Sequence, residues 1–138
     1  MKNIYLLGAT GSIGAQTIEI IESHPDEFSL KAISGYNNLD MIKEIASRFS
    51  LELISVKDSK DAKEIQELYP NIKVVFGELG LVELAKFNSK DKSGVLLNAL
   101  VGMVGLKPTI EAIKINRDIL LANKETLVFC KAVIKFWL

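Results

Sequence analysis

Gly8-Ala9-Thr10-Gly11-Ser12-Ile13-Gly14 follows the apolar run Ile4-Tyr5-Leu6-Leu7 and opens residues 12–23, where apolar side chains recur at helical spacing. A glycine-rich turn between a strand and a helix is the setting in which a dinucleotide's pyrophosphate is held. A glycine at the strand end permits the tight turn. Gly11 lets the backbone approach the phosphates, and Gly14 lets helix and strand pack. Amides at the helix N-terminus then point at the anion, helped by the helix dipole, and Thr10 and Ser12 add hydroxyl donors. The spacing is G-x-x-G-x-x-G, a variant common among NADP-type reductases, rather than plain G-x-G-x-x-G. The competing reading is a glycine-rich turn with Ser12 as an ordinary helix cap; the strand before and the helix after favour the nucleotide.

Outward from this loop, short apolar runs alternate with longer amphipathic stretches. Residues 4–7, 28–34, 53–56, 73–76, 95–98 and 118–121 read as strands. Residues 12–23, 39–49, 61–69 and 107–115 read as helices, 77–87 as a helical turn or two, and a last helix starts at Glu125. In the first helix Ile13, Thr17, Ile20 and Ile21 are expected to share the inner face. Several strands are continuously apolar, as when both sheet faces are covered. The expected fold is therefore α/β, a Rossmann-like, doubly wound parallel sheet in a single domain.

Composition agrees with one domain and narrows the partners. The 138 residues are 49% hydrophobic and 25% charged, with 17 Lys and Arg against 17 Asp and Glu, an ordinary soluble balance. Zero net charge gives no electrostatic case for nucleic acid or an anionic membrane. The single cysteine, Cys130, allows no internal disulfide and fits a reducing cytoplasm. The opening apolar run is too short for a signal segment, and no stretch approaches the ~18 apolar residues of a membrane span.

The end of the second strand bears on the choice of cofactor. An NAD site usually places Asp or Glu there to bind the ribose hydroxyls. Here the residues are Ser34-Gly35-Tyr36-Asn37-Asn38. An acid would repel a 2′-phosphate, so its absence favours NADP. Asn37 can donate to that phosphate and Tyr36 can lie against the adenine; a plain turn with Asn38 capping the next helix is the alternative.

Two later segments reach beyond a generic dinucleotide domain: 97–109, Leu-Asn-Ala-Leu-Val-Gly-Met-Val-Gly-Leu-Lys-Pro-Thr, and 121–128, Leu-Ala-Asn-Lys-Glu-Thr-Leu-Val. With the opening glycine loop they closely resemble the 1-deoxy-D-xylulose 5-phosphate reductoisomerase family, from Met1 to about Val128. Aspartate-semialdehyde dehydrogenases share a similar loop but neither later segment. The resemblance implies NADPH as cofactor, a divalent magnesium or manganese ion, and rearrangement of a sugar phosphate followed by reduction, a step towards isoprenoid precursors. It implies that Thr10, Gly11, Ser12 and Ile13 hold the pyrophosphate and that Gly35 and Asn37 flank the adenosine end. Asn123 and Glu125 match NADPH contacts, and Lys124 a contact to the substrate. A solvated first helical turn is the plain alternative for Lys124 and Glu125.

Two departures from the family pattern stand out. Many members carry Lys where this chain has Tyr36. After Val128 the family reaches an acidic Asp-Ser-Glu-His type motif that opens the catalytic, metal-binding domain, whereas here residues 129–138 read Phe-Cys-Lys-Ala-Val-Ile-Lys-Phe-Trp-Leu. The expectation is an NADPH-binding domain over 1–128 with a divergent tail over 129–138. Neither catalytic residues nor metal ligands are assigned, and such a chain by itself is expected to be inactive, a non-catalytic NADP-binding module being the alternative. The lone His24, beside Pro25 at a helix end, reads as structural. The apolar Phe136-Trp137-Leu138 calls for cover, on the domain or in a homodimer.

Overall fold

Strands and helices alternate without exception in a computed structural model that describes residues 2–90 and 94–122. They are β1 (Lys2–Leu7), α1 (Ser12–Ser23), β2 (Phe28–Ser34), α2 (Leu39–Arg48), β3 (Leu53–Val56), α3 (Ser59–Leu68), β4 (Lys73–Phe76), α4 (Gly77–Lys86), β5 (Gly94–Asn98), α5 (Leu106–Lys114) and β6 (Asp118–Leu121). All paired strands run parallel, in the order β4-β3-β2-β1-β5-β6. The doubly wound fold expected from the sequence is the fold observed.

The pleat sorts the core into two layers, because successive strand residues face opposite sides. Ile4 and Leu6 of β1 join Ile33, Ile54 and the buried faces of α1, α2 and α3 through Ile18, Ile21, Ile42, Ile45 and Ile65. Tyr5 and Leu7 join Leu53, Leu96 and the faces of α4 and α5 through Leu84, Ala85 and Ala112. With both faces covered, β1 is buried at every position from Asn3 to Leu7.

Helix boundaries follow local chemistry. The Asn38 side chain accepts from the Met41 amide at 3.1 Å, and Asp58 accepts from the Asp61 amide at 2.9 Å, so each caps its helix. The Asp58 cap starts α3 at Ser59, two residues before the sequence expectation. The stretch expected to make a turn or two is a ten-residue helix, α4. The expected inner face of α1 is corrected: Ile13 and Ile20 are 43% and 56% exposed, and the buried stripe is Gly14, Ile18 and Ile21. Gly14 must meet the strand-end backbone, and that contact sets the helix rotation.

The amino edge of the sheet is closed by structural contacts. The Arg117 guanidinium lies over the Tyr5 ring at 4.5 Å and donates to the Ala85 carbonyl at 2.7 Å and to Asn88. The Tyr5 hydroxyl accepts from the Ser89 amide at 3.0 Å, and the Ser89 hydroxyl donates to the Glu52 carboxylate at 2.9 Å. No helix of the described residues is long and apolar enough to cross a membrane.

Candidate functional site

The strand order turns back at β1: β2, β3 and β4 lie on one side of it, β5 and β6 on the other. In open α/β sheets ligands bind at the carboxyl edge of such a switch point. A cleft of about 570 Å³ opens there. Its floor is the glycine loop, with Gly8, Thr10 and Gly11; one wall is the turn after β2, with Ser34, Gly35 and Tyr36; the opposite wall carries Leu100, Val101 and Val104.

The loop is fixed by its neighbour strand. The Gly8 amide donates to the Ser34 hydroxyl at 2.8 Å, and the Ala9 amide donates to the Ser34 carbonyl at 2.8 Å. Gly8 has φ +86°, a left-handed conformation that favours glycine, and this turns the chain sharply out of β1. Gly14 is needed for close packing: a Cβ there would lie 2.1 Å from the Gly8 carbonyl oxygen. Gly11 differs from both. Its φ of −84° suits any residue, and the nearest atom to a Cβ at that position is 3.8 Å away. Packing does not require a glycine at 11, although glycine is among the favoured residues at a helix N-cap.

Gly11, not Ser12, is the N-cap of α1, and no side chain caps this end. The plain alternative in which Ser12 caps the helix is therefore set aside. The first intrahelical bond is donated by the Ala15 amide to the Gly11 carbonyl at 2.9 Å. The amides of Ser12 and Ile13 precede it in the first turn, where helix geometry leaves donors for an anion.

The opposite wall depends on one buried side chain. Asn98, at the end of β5, is fully buried. Its Nδ2 donates to the Thr109 hydroxyl at 2.9 Å and to the Gly105 carbonyl at 3.3 Å, and its Oδ1 accepts from the Leu100 amide at 3.0 Å. This network shapes the return from β5 to α5. Asn98→Ala is expected to strand several buried polar groups and lower stability by about 2–4 kcal/mol. Urea unfolding with an unchanged midpoint would overturn this account of the wall.

Of the residues expected at the site, Thr10, Gly11, Gly35 and Tyr36 line the cleft. Ser12, Ile13 and Asn37 are exposed and lie outside the walls, within two residues of the lining Gly11 and Tyr36 in sequence. Asn123, Lys124 and Glu125, and the tail over 129–138, lie outside the described residues. The chain reaches Ala122 at the same sheet edge, where the Ala122 amide donates to the Asn98 carbonyl at 3.0 Å. Among the described residues no group of three or more His, Cys, Asp or Glu is placed to hold a metal ion. Ser34, Asn98 and Lys57 were not expected at the site. A buried serine ending the apolar strand 28–34 was the available signal for the first, while Lys57 carries no local motif.

A doubly wound parallel sheet with a glycine-loop cleft at its switch point defines a Rossmann-like α/β domain. The family model for 1-deoxy-D-xylulose 5-phosphate reductoisomerase matches residues 4–131. A protein of that name from Geobacillus sp. (strain WCH70) is 48% identical over 129 residues, covering 93% of this chain and 33% of the relative. Among solved structures, DOX-P reductoisomerase in complex with NADPH, fosmidomycin and magnesium superposes with a TM-score of 0.82 at 30% identity, over 93% of this chain and 31% of that one. The Zymomonas mobilis reductoisomerase in complex with NADPH gives a TM-score of 0.80 at 30% identity, over 92% and 33%. The chain thus belongs to the 1-deoxy-D-xylulose 5-phosphate reductoisomerase family and spans about a third of the length of the curated relatives it matches.

Proposed function

We propose that these residues are the NADPH-holding part of an enzyme that rearranges and reduces 1-deoxy-D-xylulose 5-phosphate to 2-C-methyl-D-erythritol 4-phosphate, on the way to isoprenoid precursors. The observation that carries this reading is the exposed Gly11 on the cleft floor at the N-terminus of α1, where the backbone can be approached closely. Thr10, Gly11 and the amides of Ser12 and Ile13 hold the pyrophosphate; Gly35, Tyr36 and Asn37 flank the adenosine. Asn123 and Glu125 are assigned to NADPH and Lys124 to the anionic substrate. In sequence they follow β6, whose carboxyl end lies at the ligand edge of the sheet, and this order supports that assignment. When bound, the nicotinamide supplies hydride. The chain's own groups bind and orient, and the described donor set does not fit a divalent metal, so no step through one is assigned to these residues.

The test is nucleotide binding. Gly11→Val is expected to weaken NADPH binding at least about tenfold, roughly 1.4 kcal/mol, by pushing the phosphates off the backbone. Its stability should fall far less than for a change at Gly14, since the nearest atom to a Cβ at 11 is the Gly8 carbonyl oxygen at 3.8 Å. Calorimetry giving unchanged NADPH affinity would sink the loop assignment.

A further inference from the structure

The cleft contains a cation that the glycine loop and the turn after β2 do not provide. Lys57 follows β3 and lines the cleft beside Tyr36 and Gly35; among the described residues in its walls it is the one lysine or arginine. Its place follows from strand register. Ser34 pairs with Ser55, and the Gly35 amide donates to the Ser55 carbonyl at 3.0 Å. The two strand ends therefore leave the sheet side by side, with Tyr36 and Lys57 each two residues past that pair. The one carboxylate in the described walls, Glu78, opens α4 after β4, on the far side of β3 from the turn.

The Lys57 side chain is held rather than loose. Its Nζ lies 2.8 Å from Asp61 Oδ2, and Asp61 is buried in the first turn of α3. Pairing with Asp61 keeps the ammonium above its ordinary pKa, opposed by partial desolvation, with Asp58 and the Tyr36 phenol adding to the rise. An ammonium has three donors, and the ion pair with Asp61 engages only one side of it. The pair is half-buried, with Lys57 partly open to the cleft and Asp61 covered, and its position in the cleft matters more here than its strength. The loop amides are committed to a pyrophosphate on β1, and Tyr36 offers no charge. On the cofactor reading above, a phosphate on the adenosine ribose would fall one or two strands along the same edge, on the side of Lys57.

We propose that Lys57, positioned by Asp61, binds the 2′-phosphate of the cofactor and sets the preference for NADPH over NADH. The inference rests on the cofactor reading above and adds a specificity-determining residue to it. Lysine suits the task as a compact point charge for phosphate.

The experiment titrates NADPH and NADH separately into the full chain and three variants. Lys57→Met is expected to weaken NADPH about tenfold and leave NADH within about twofold. Lys57→Arg should keep most of the preference, and Lys60→Met, which removes the same charge from an exposed site on α3 outside the cleft walls, should change neither. Raised salt should erode NADPH binding of the parent chain more than that of Lys57→Met. Equal loss of both nucleotides in Lys57→Met, or no loss of either, overturns the role of Lys57 while leaving the loop assignment standing. A parent chain that binds neither nucleotide overturns both.

Discussion

A polypeptide of these 138 residues, saturated with NADPH and 1-deoxy-D-xylulose 5-phosphate in excess magnesium or manganese, is expected to consume no NADPH. The reason lies in the donors. A magnesium ion takes an octahedral shell of oxygens, anchored by carboxylates. Among the described residues none are clustered to provide it, and beyond Ala122 the sequence adds one carboxylate, Glu125, beside the repelling charge of Lys124. The glycine loop presents amides and hydroxyls, which suit an anion. Hydride transfer also needs the substrate fixed against the nicotinamide, and a misplacement of about 1 Å costs on the order of 100-fold. The assay follows loss of NADPH absorbance with protein free of the host's own reductoisomerase. The same sample must bind NADPH by calorimetry, so that inactivity cannot be laid to misfolding. Metal-dependent turnover close to that of a full-length relative would show that the catalytic groups lie within these residues. Joining the remainder of the Geobacillus relative after Val128 should restore activity, and Lys124→Ala in that fusion should then impair use of the substrate more than binding of NADPH.

Sequence order and composition made the sheet legible because its signals are local. Each strand is a short apolar run bounded by a polar or glycine turn, and β2, β3, β4 and β6 fall where the hydrophobicity places them. Caps were legible in part. Asn38 caps α2, as the plain alternative for the turn after β2 had it, whereas Asp58 moved the start of α3 because the cap stands four residues ahead of the first apolar position, Ala62. The inner face of α1 was misread for a different reason. Counting isoleucines favoured Ile13 and Ile20, but helix rotation is set by the one place where backbone meets backbone, at Gly14, and a glycine adds no hydrophobicity to the count. At the site the same division holds. The loop residues Thr10 and Gly11 could be read from spacing. Lys57 could not, because its nearness to Tyr36 arises from the pairing of β2 with β3 across more than twenty residues of chain. Asn98 stood within a recognisable segment, but its role as the buried brace of the opposite wall comes from contacts with Gly105 and Thr109 that only the folded return from β5 to α5 creates.

Gly14→Ala should be among the most damaging single substitutions in the chain, and it separates the two kinds of glycine in the loop. A Cβ at Gly14 would stand 2.1 Å from the Gly8 carbonyl oxygen and 2.8 Å from the Cα and carbonyl carbon of Ala9. These are backbone atoms. The Gly8 and Ala9 amides are already tied to Ser34, and the surrounding layer of Leu6, Ile18 and Ile33 is closed. Relief therefore requires α1 to move away from β1, loosening the Ile18 and Ile21 contacts along its whole inner face. A loss on the order of 4 kcal/mol is expected, at the severe end for one substitution and a large share of the 5–15 kcal/mol that holds a typical domain together. The melting temperature should fall by roughly 10 °C or more. Gly11→Ala, three residues earlier, adds the same methyl at 3.8 Å from its nearest neighbour and should melt within a few degrees of the parent chain, the difference being that of a helix cap, while binding NADPH less well. Thermal melts of the two variants side by side decide the matter. A Gly14→Ala protein as stable as Gly11→Ala would mean that α1 does not rest on the strand-end backbone, and the geometry assigned to the phosphate loop would fall with it.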